Sequence, residues 1–245
     1  MLLKVLASSS AGNCYIFENK TEALIVEGGV KMGEVKKALN YDVSKVCGCI
    51  VTHEHLDHSK YIADYAKAGI TVLALQPVLE RAGISEHHRS KILAGGAGYL
   101  VGKFKVFAFP VSHDVPCLGF VITHPDMGKV LFITDTFSCE YRFDNLSTIM
   151  IEANYAHDLV QKRIDEGKVS PSVRKRLRFS HMEIETTKEV ILKHNITSVN
   201  KIILLHLSSE NSNAVRFQST ITGATGKPVY VADKGMELTI GSTPY

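Results

Sequence analysis

Three histidines and an aspartate lie within six residues of this chain, in the order His53, His55, Asp57 and His58. Neutral imidazole nitrogens and carboxylate oxygens are ligands that borderline cations such as Zn²⁺ accept. Residues two apart in an extended segment point to the same side, so His53 and His55 can face one cation while Asp57 and His58 face a second. A histidine-rich loop without metal is the alternative, but four ligand-type residues at this spacing rarely coincide.

The elements on either side of this cluster are expected to hold its backbone in place. The apolar run 46–51 predicts a short buried strand, and residues 59–68 predict a helix. The ligand-type residues would therefore lie where a strand ends and a helix begins.

Three later strands also end in ligand-type residues, namely His113, Asp135 and His206. Each has an ordinary explanation when taken alone, as a surface histidine or as an aspartate that caps a turn. Three apolar strands that each deliver such a residue at their end predict a single site at one edge of a sheet.

Strand and helix patterns alternate along the chain in two halves rich in βα units. Strands are predicted at residues 2–7, 14–18, 23–27, 47–51, 71–75, 105–109, 118–123, 130–134, 148–152, 201–205 and 229–231. Helices are predicted at residues 32–39, 59–68, 156–166, 171–177, 183–194 and 213–222, with a short one at Pro77. Residues 86–98 are predicted to be irregular. This order favours an α/β fold with two sheets flanked by helices over one open sheet.

Composition describes an ordinary globular protein of 245 residues, with 45% hydrophobic and 22% charged residues and a net charge of +3. We expect one domain, residues 1–245. The apolar N-terminal run is too short for a secretion signal, and no stretch is long enough for a membrane span. The protein is therefore predicted to be cytoplasmic, in a reducing compartment. An odd number of cysteines without a C-x-x-C pair fits that prediction: Cys14, Cys47, Cys49, Cys117 and Cys139.

The chain resembles the metallo-β-lactamase-fold hydrolases over nearly its whole length, and within them it is most similar to the YycJ-type nuclease-like group. The segments that carry the resemblance are residues 7–14 (ASSSAGNC), 52–58 (THEHLDH), 134–136 (TDT), 151–155 (IEANY) and 206–211 (HLSSEN). The resemblance implies a four-layer αββα sandwich and a hydrolase with two divalent cations, Zn²⁺ or else Mn²⁺. It also implies the ligands: His53, His55 and His113 for one ion, Asp57, His58 and His206 for the other, and Asp135 between them.

Two positions depart from the pattern usual in this family. Glu27-Gly28-Gly29 stands where the family has Asp-x-Gly, and the longer Glu27 side chain is expected to orient the ligand loop as a hydrogen-bond acceptor. Tyr61 stands where a glycine is usual, so it is expected to narrow the substrate pocket.

His181 is similar to the histidine that tRNase Z-like enzymes place beside the leaving group, and with Asp57 it is our predicted catalytic residue. Its surroundings also predict a helix cap, with Ser180 as the N-cap and Glu183 three residues later. Polar residues of the similar segments are the predicted substrate-binding residues: Ser8, Ser10, Asn13, Asn154, Ser208 and Asn211.

Residues 161–178 carry seven basic side chains against two acidic ones, a net +5, which leaves −2 for the rest of the chain. Such a segment suits a phosphate backbone, although a solvated helix face has the same composition. The basic residues are Lys162, Arg163, Lys168, Arg174, Lys175, Arg176 and Arg178.

The leading prediction is a phosphodiesterase that acts on DNA or RNA. A phosphodiesterase for cyclic nucleotides, of the phage anti-defence type, is the alternative that Tyr61 and the modest net charge favour. A lactone or β-lactam hydrolase would use the same ligands without needing the basic segment or His181, and a binding module without activity would not need a full ligand set. The expected partner is a nucleic acid or nucleotide substrate and no membrane, with a homodimer left open.

Overall fold

The computed structural model describes residues 1–241, which form strands, α-helices and one 3₁₀ turn at Val43–Lys45. The strands are β1 (Leu2–Ser9), β2 (Gly12–Glu18), β3 (Ala23–Val26), β4 (Val46–Ile50), β5 (Val72–Ala74), β6 (Ser90–Ile92), β7 (Ala97–Val101), β8 (Phe104–Val111), β9 (Cys117–His124), β10 (Gly128–Ile133), β11 (Thr148–Glu152), β12 (Lys201–Leu205), β13 (Val229–Val231) and β14 (Glu237–Thr239). The helices are α1 (Met32–Ala38), α2 (Leu56–Ser59), α3 (Ile62–Lys67), α4 (Gln76–Arg81), α5 (His157–Asp165), α6 (Ser172–Ser180), α7 (Ile184–Lys193) and α8 (Ala214–Thr225).

Two seven-stranded sheets have the same internal arrangement. The strand order is β14-β1-β2-β3-β4-β5-β6 in the first sheet and β13-β12-β11-β10-β9-β8-β7 in the second. In the first sheet the three strand pairs from β14 to β3 are antiparallel and the three from β3 to β6 are parallel. In the second sheet the three strand pairs from β7 to β10 are antiparallel and the three from β10 to β13 are parallel. Strands β8, β10, β11 and β12 therefore run in one direction and end at the same edge of the second sheet.

Apolar side chains of both sheets meet between them, with Phe17 from the first sheet and Phe104, Phe120 and Phe132 from the second in one buried cluster. The outer face of the first sheet is covered by α1, α3 and α4, and that of the second by α7 and α8. The layers are therefore helix, sheet, sheet and helix, which confirms the predicted αββα sandwich.

Most predicted elements are present within a few residues of their expected ends. The prediction of an irregular segment at residues 86–98 was wrong, because Ser90–Ile92 pairs in parallel with β5 and Ala97 starts β7. A three-residue strand leaves too short a pattern to be distinguished from a loop, and β14 was missed for the same reason. No helix in the described range is long and apolar enough to cross a membrane.

The single helix predicted at 59–68 is in fact two short helices, α2 and α3. The backbone N–H of Gly28 donates to the carbonyl oxygen of His58 at 2.6 Å, and the N–H of Tyr61 donates to the carbonyl oxygen of Gly28 at 3.0 Å. The chain after β3 thus takes up hydrogen bonds that would otherwise continue the helix. This interruption ties the ligand loop to the end of β3.

Candidate metal centre

The structure brings all seven residues predicted as metal ligands into one cluster. Their donor atoms form two groups, in each of which the donors lie within 4.8 Å of one another, and Asp135 belongs to both groups. The first group is His53, His55, His113 and Asp135, and the second is Asp57, His58, Asp135 and His206.

Ends of parallel, aligned strands account for this meeting. In the register of the second sheet Ile133 lies beside Ile151, and Ile151 lies beside Leu204, so residues that follow β10, β11 and β12 emerge side by side. The two sheets are joined at this edge by a hydrogen bond from the N–H of Leu118, in β9, to the carbonyl oxygen of Thr52. The His loop after β4 therefore faces the strand ends of the other sheet.

Asp135 lies between the two groups with its two carboxylate oxygens facing different histidines. Its Oδ2 is 3.8 Å from Nε2 of His53, while its Oδ1 is 3.4 Å from Nε2 of His58 and 3.6 Å from Nδ1 of His206. The hydroxyl of Thr134 donates to the same Oδ1 at 2.6 Å. This is the placement that a carboxylate shared by two cations requires.

Three of the six non-glycine residues with positive φ in the described range lie at the same edge. Glu27, Asp135 and His206 have φ values of 70°, 48° and 52°, in the left-handed region that residues other than glycine rarely adopt. Each such residue costs about 1–3 kcal/mol and persists only where its surroundings hold it in place. All three directly follow or nearly follow a strand, so the strain aims their side chains into the centre.

The chemistry of the donor set fits divalent cations. Among the predicted ligands, Nε2 of His53 and Nδ1 of His113 are buried and lack a hydrogen-bond partner within the described range. Burying a polar atom without a partner is costly, and a cation would supply the missing partner. The residues present therefore suit a dinuclear metal site.

Charge states differ among the predicted ligands. Burial, helped by the nearby His58, lowers the pKa of His53 well below its ordinary value. Burial opposes ionisation of Asp57 and Asp135, yet the facing histidines, His206 foremost, hold the pKa of both carboxyl groups well below the usual range. The same carboxylates outweigh burial at His58 and His206 and raise the pKa of both imidazoles, that of His206 to about 10. These two imidazoles would therefore release a proton when a cation binds.

Glu27 supports the ligand loop from behind, as the sequence predicted. The hydroxyl of Thr52 donates to Oε1 of Glu27 at 2.6 Å and lies 2.9 Å from Nδ1 of His53. The same Oε1 is 3.4 Å from Nδ1 of His58. One fully buried carboxylate thus orients two of the histidines.

Gly29 allows the loop to approach this support closely. A Cβ atom at Gly29 would lie 1.8 Å from the carbonyl oxygen of Asp57, so any other residue would displace the start of α2. The amide of Asn13, beside it, donates to Oδ2 of Asp57 at 3.3 Å and lies 3.0 Å from Nε2 of His58. Glycine and asparagine together fix the Asp57 side of the centre.

Three of the predicted substrate-binding residues hold the centre itself. Asn13 contacts Asp57 and His58, and the amide of Asn154 donates to the carbonyl oxygen of His206 at 2.9 Å. The hydroxyl of Ser8 accepts from the N–H of His206 at 3.0 Å. These contacts are positioning contacts, and substrate binding by the three residues stays a prediction.

The other three predicted substrate-binding residues lie outside the hydrogen bonds that hold the predicted metal ligands. Ser10 is exposed in the turn between β1 and β2. The hydroxyl of Ser208 accepts from the N–H of Asn211 at 3.2 Å, which closes the turn after His206. Oδ1 of Asn211 is buried without a partner among the described residues. Their contact with substrate also stays a prediction.

His181 reaches the centre, although it comes from the loop between two helices. Its Nδ1 is 2.7 Å from Oε1 of Glu152, and its ring stacks on that of His206 with centroids 5.4 Å apart. Burial opposes the imidazolium, but the charge of Glu152 and the hydrogen bond to it raise the pKa of His181 above its ordinary value. Its side chain remains 20% exposed, so a substrate can reach it.

The predicted helix cap beside His181 was wrong. Ser180 still belongs to α6, where its hydroxyl donates to the carbonyl oxygen of Arg176 at 2.8 Å. Glu183 is the N-cap of α7, and its carboxylate accepts from the N–H of Glu185. The extended backbone of His181 separates the two helices and turns its ring toward the metal ligands.

Glu152 is the functional residue that the sequence interpretation did not assign. It is fully buried at the end of β11, and Oε1 is 3.3 Å from Nδ1 of His206 and 2.7 Å from Nδ1 of His181. Its Oε2 accepts from the backbone N–H groups of Thr136 and Met182 at 3.1 and 3.2 Å. The rule that pointed to Asp135, a polar residue ending an apolar strand, also applies to Glu152.

Tyr61 lines a cavity of about 300 Å³ beside the centre rather than the ligand cluster itself. This cavity is also lined by Ser8, which contacts His206, by Gly29, which borders Asp57, and by Lys31. The cavity is thus separated from the centre by one layer of residues.

The basic segment divides into a paired and an unpaired part. Arg163 binds Glu210 at 2.6 Å, and Lys162 and Lys168 lie 4.0 and 2.8 Å from Glu166. In the described range no ion pair involves the four basic residues of α6, Arg174, Lys175, Arg176 and Arg178. The charge left for a ligand is therefore on α6, the helix that ends at His181.

Residues 32–207 match the family model described as the β-lactamase superfamily domain. The chain is 25% identical over 224 residues to Exodeoxyribonuclease WalJ of Streptococcus pneumoniae serotype 2 (strain D39 / NCTC 7466), covering 85% of this chain and 82% of the relative. It is 27% identical over 223 residues to Exodeoxyribonuclease YycJ of Bacillus anthracis, covering 85% and 83%. The solved structure of the metallo-β-lactamase fold protein YhfI from Bacillus subtilis superposes with a TM-score of 0.72 at 16% identity, over 97% of this chain and 99% of that one.

Proposed function

The chain belongs to the β-lactamase superfamily, and on that premise we propose that it is a metal-dependent phosphodiesterase that hydrolyses nucleic acid. The observation that carries this proposal is that helix α6 ends beside the cluster of predicted metal ligands. Helix α6, whose four cations form no ion pair in the described range, ends just before His181, and the ring of His181 stacks on that of His206. A phosphate chain bound by that helix would pass His181, which is partly exposed and is held by Glu152.

Two divalent cations are the proposed cofactors, Zn²⁺ first because imidazole and carboxylate suit it, and Mn²⁺ as the alternative. His53, His55 and His113 would hold one ion, Asp57, His58 and His206 the other, and Asp135 both. When bound, such ions lower the pKa of water and stabilise negative charge that develops on a phosphoryl group.

His181 is the proposed general acid for the departing oxygen. Its Nδ1 is occupied by Glu152, which leaves Nε2 to donate a proton. Glu152 also contacts His206 and two backbone N–H groups, so it cannot move away without disturbing the centre. We assign to Glu152 the positioning of His181, and to Asp57 the binding of one ion and thereby a catalytic role.

The two named relatives support DNA as the nucleic acid, because both are named exodeoxyribonucleases. A cyclic-nucleotide phosphodiesterase is the second proposal. Its support is the sequence rather than the geometry, because the 300 Å³ cavity lined by Tyr61, Ser8 and Ser9 is separated from the centre by one layer of residues. A lactone or β-lactam hydrolase has no observation of its own in support.

A hydrolysis screen on metal-loaded protein tests these proposals directly. Metal content is first measured by elemental analysis of protein purified without chelator, and the proposal expects well over one ion per chain. The protein is then offered single-stranded and duplex DNA, RNA, 2′,3′- and 3′,5′-cyclic nucleotides and a lactone. Cleavage of DNA or RNA supports the nuclease proposal, and turnover of cyclic nucleotides alone would replace it with the second one.

We also propose a cytoplasmic enzyme of one domain, residues 1–245. All five cysteines are free thiols, which supports a reducing compartment. A homodimer stays a prediction, and sedimentation of the metal-loaded protein at several concentrations would test it.

A further inference from the structure

Helix α6 carries an aromatic ring in solvent next to the catalytic histidine. The side chain of Phe179 is 60% exposed, and within residues 1–241 it belongs to no apolar cluster and no aromatic pair. Exposing a phenylalanine ring to water is unfavourable compared with burying it. A ligand that covered the ring would recover part of that free energy.

The core contacts of α6 keep this ring outside. Leu177 is buried on the opposite side of the helix, against Tyr155 and Val160, with Val173 packed beside it. Phe179 follows Leu177 by two residues, about 200° around the helix, so both side chains cannot face the same cluster. The exposure of Phe179 is thus a consequence of how α6 is anchored.

Three cationic residues lie close to Phe179 along α6. Lys175 precedes Phe179 by four residues and Arg176 by three, which places both on its face of the helix, and Arg178 is its neighbour. Helix α6 contains no acidic residue. An aromatic face between unpaired cations is the combination with which proteins bind single-stranded nucleic acid, the ring stacking on a base and the cations following the phosphates.

Phe179 is also close to His181 along the backbone. Only Ser180 lies between them, so the Cα atoms of Phe179 and His181 are at most about 7 Å apart. The N–H of His181 donates to the carbonyl oxygen of Leu177 at 2.9 Å, which fixes His181 to the last turn of α6. Any movement of Phe179 relative to the centre is limited by that bond and by Glu152.

We propose that Phe179 stacks on a base next to the scissile phosphate and that the enzyme therefore prefers a strand that is single-stranded at the cleaved bond. This inference rests on the proposed nuclease function and adds the substrate class to it. Inside a duplex both faces of a base are covered by its neighbours, so a ring can stack only where a strand is single or ends. Stacking is tolerant of sequence, because every base has a π-face.

The test measures single-turnover cleavage and binding on metal-loaded protein, for the wild type, Phe179→Ala, Phe179→Leu and Phe179→Trp. Binding uses a fluorescent single-stranded DNA with phosphorothioate linkages, and bis(p-nitrophenyl) phosphate is the small diester. The loss of kcat/KM on Phe179→Ala should be about 5- to 150-fold larger for single-stranded DNA than for the small diester, as expected for one stacked base. Phe179→Leu keeps the apolar bulk but should share the loss, while Phe179→Trp should retain or exceed wild-type affinity.

Two controls separate stacking from a structural role. Tyr41→Ala removes another aromatic ring, 75% exposed and far from α6 in sequence, and should leave DNA cleavage unchanged. An abasic nucleotide moved along the strand should weaken wild-type binding at one position near the cleaved bond. At that position the abasic nucleotide should not weaken the binding of Phe179→Ala any further, because the ring that would stack on the missing base is already absent.

Equal losses on DNA and the small diester would overturn the stacking proposal, and so would full activity of Phe179→Leu. A wild type that cleaves duplex interiors as fast as single strands would overturn the substrate class. Failure of the nuclease function itself would look different, since the wild type would then cleave no nucleic acid at all while still hydrolysing the small diester.

Discussion

The metal centre and helix α6 are built in opposite ways. In the centre, strand ends from both sheets converge, the side chains are mostly buried, and nearly every polar atom faces another residue of the cluster. On α6, the charged side chains extend into solvent, have no ion pairs in the described range, and stand on a helix anchored by a small cluster that includes Leu177. The two regions meet at His181.

The two regions therefore determine different properties of the enzyme, namely its reaction and its binding partner. Groups that are buried and mutually constrained define the reaction, because small displacements of metal ligands or of an oriented acid change the rate. Groups that are exposed and unpaired define the partner, because they are free to bind one without first breaking an internal contact. Substitutions in the two regions should therefore differ in which step they change and in how strongly salt modulates the effect.

Asp135→Ala should have the largest effect, because it removes a carboxylate whose two oxygens face both groups of histidines. Metal ions contribute several kcal/mol to such reactions, so we expect activity on every substrate to fall about 10⁴-fold or more. Elemental analysis should show that at least one ion is lost. Retention of both ions at wild-type affinity, together with inactivity, would show that Asp135 does not bridge.

His181→Ala should leave the ions in place and slow cleavage by about 10²–10⁴-fold, the usual contribution of general acid catalysis. The deficit should shrink for a p-nitrophenyl diester, because p-nitrophenolate leaves without needing a proton. The matched comparison is an alkyl diester of the same size. The same deficit on both diesters would assign His181 to binding or structure instead.

The centre could be predicted from sequence because its residues obey a rule visible in one dimension. His53 to His58 lie together in the chain, His206 directly follows an apolar strand, and Asp135 comes two residues after one. Glu152 obeys the same rule at the end of β11, but the sequence interpretation did not assign it. The sequence could not show that Asn13 and Asn154 hold ligands rather than substrate, because those contacts join residues more than forty positions apart.

The exposed region was predictable only in part. The charge of residues 161–178 is plain in the sequence, but which cations are neutralised depends on distant acids such as Glu210. The break between α2 and α3 was likewise hidden, because it is imposed by hydrogen bonds to Gly28, which lies in the loop after β3. Helix periodicity records which face is buried and carries no information about such tertiary hydrogen bonds.

Glu27→Gln tests the support behind the centre and should have an intermediate effect. The amide keeps an acceptor for the hydroxyl of Thr52 but removes the charge that faces Nδ1 of His58. Loss of a residue that orients ligands typically weakens metal affinity by about 10- to 100-fold, and competition with a chelator would measure it. Glu27→Asp is the matched variant, since it keeps the charge and shortens the reach. Unchanged metal affinity in Glu27→Gln would show that the charge of Glu27 does not help to orient the metal ligands.

Replacing Arg174 and Arg176 together by alanine should have the smallest effect, and one that depends on salt. Each cation that contacts a phosphate of a single strand contributes about 0.7 to the slope of log affinity against log salt concentration, so the double variant should flatten the slope by up to about 1.4. DNA affinity should fall most at low salt and converge on that of the wild type as salt increases. The loss of cleavage should be greater for DNA than for a small diester, because charges a Debye length away, about 8 Å at physiological salt, affect a small substrate weakly.

Lys36→Ala with Lys37→Ala is the control, as it removes the same charge from exposed positions of α1, which covers the first sheet. If both double variants changed the slope equally, the effect would belong to net charge, and the assignment of α6 to nucleic acid would fail.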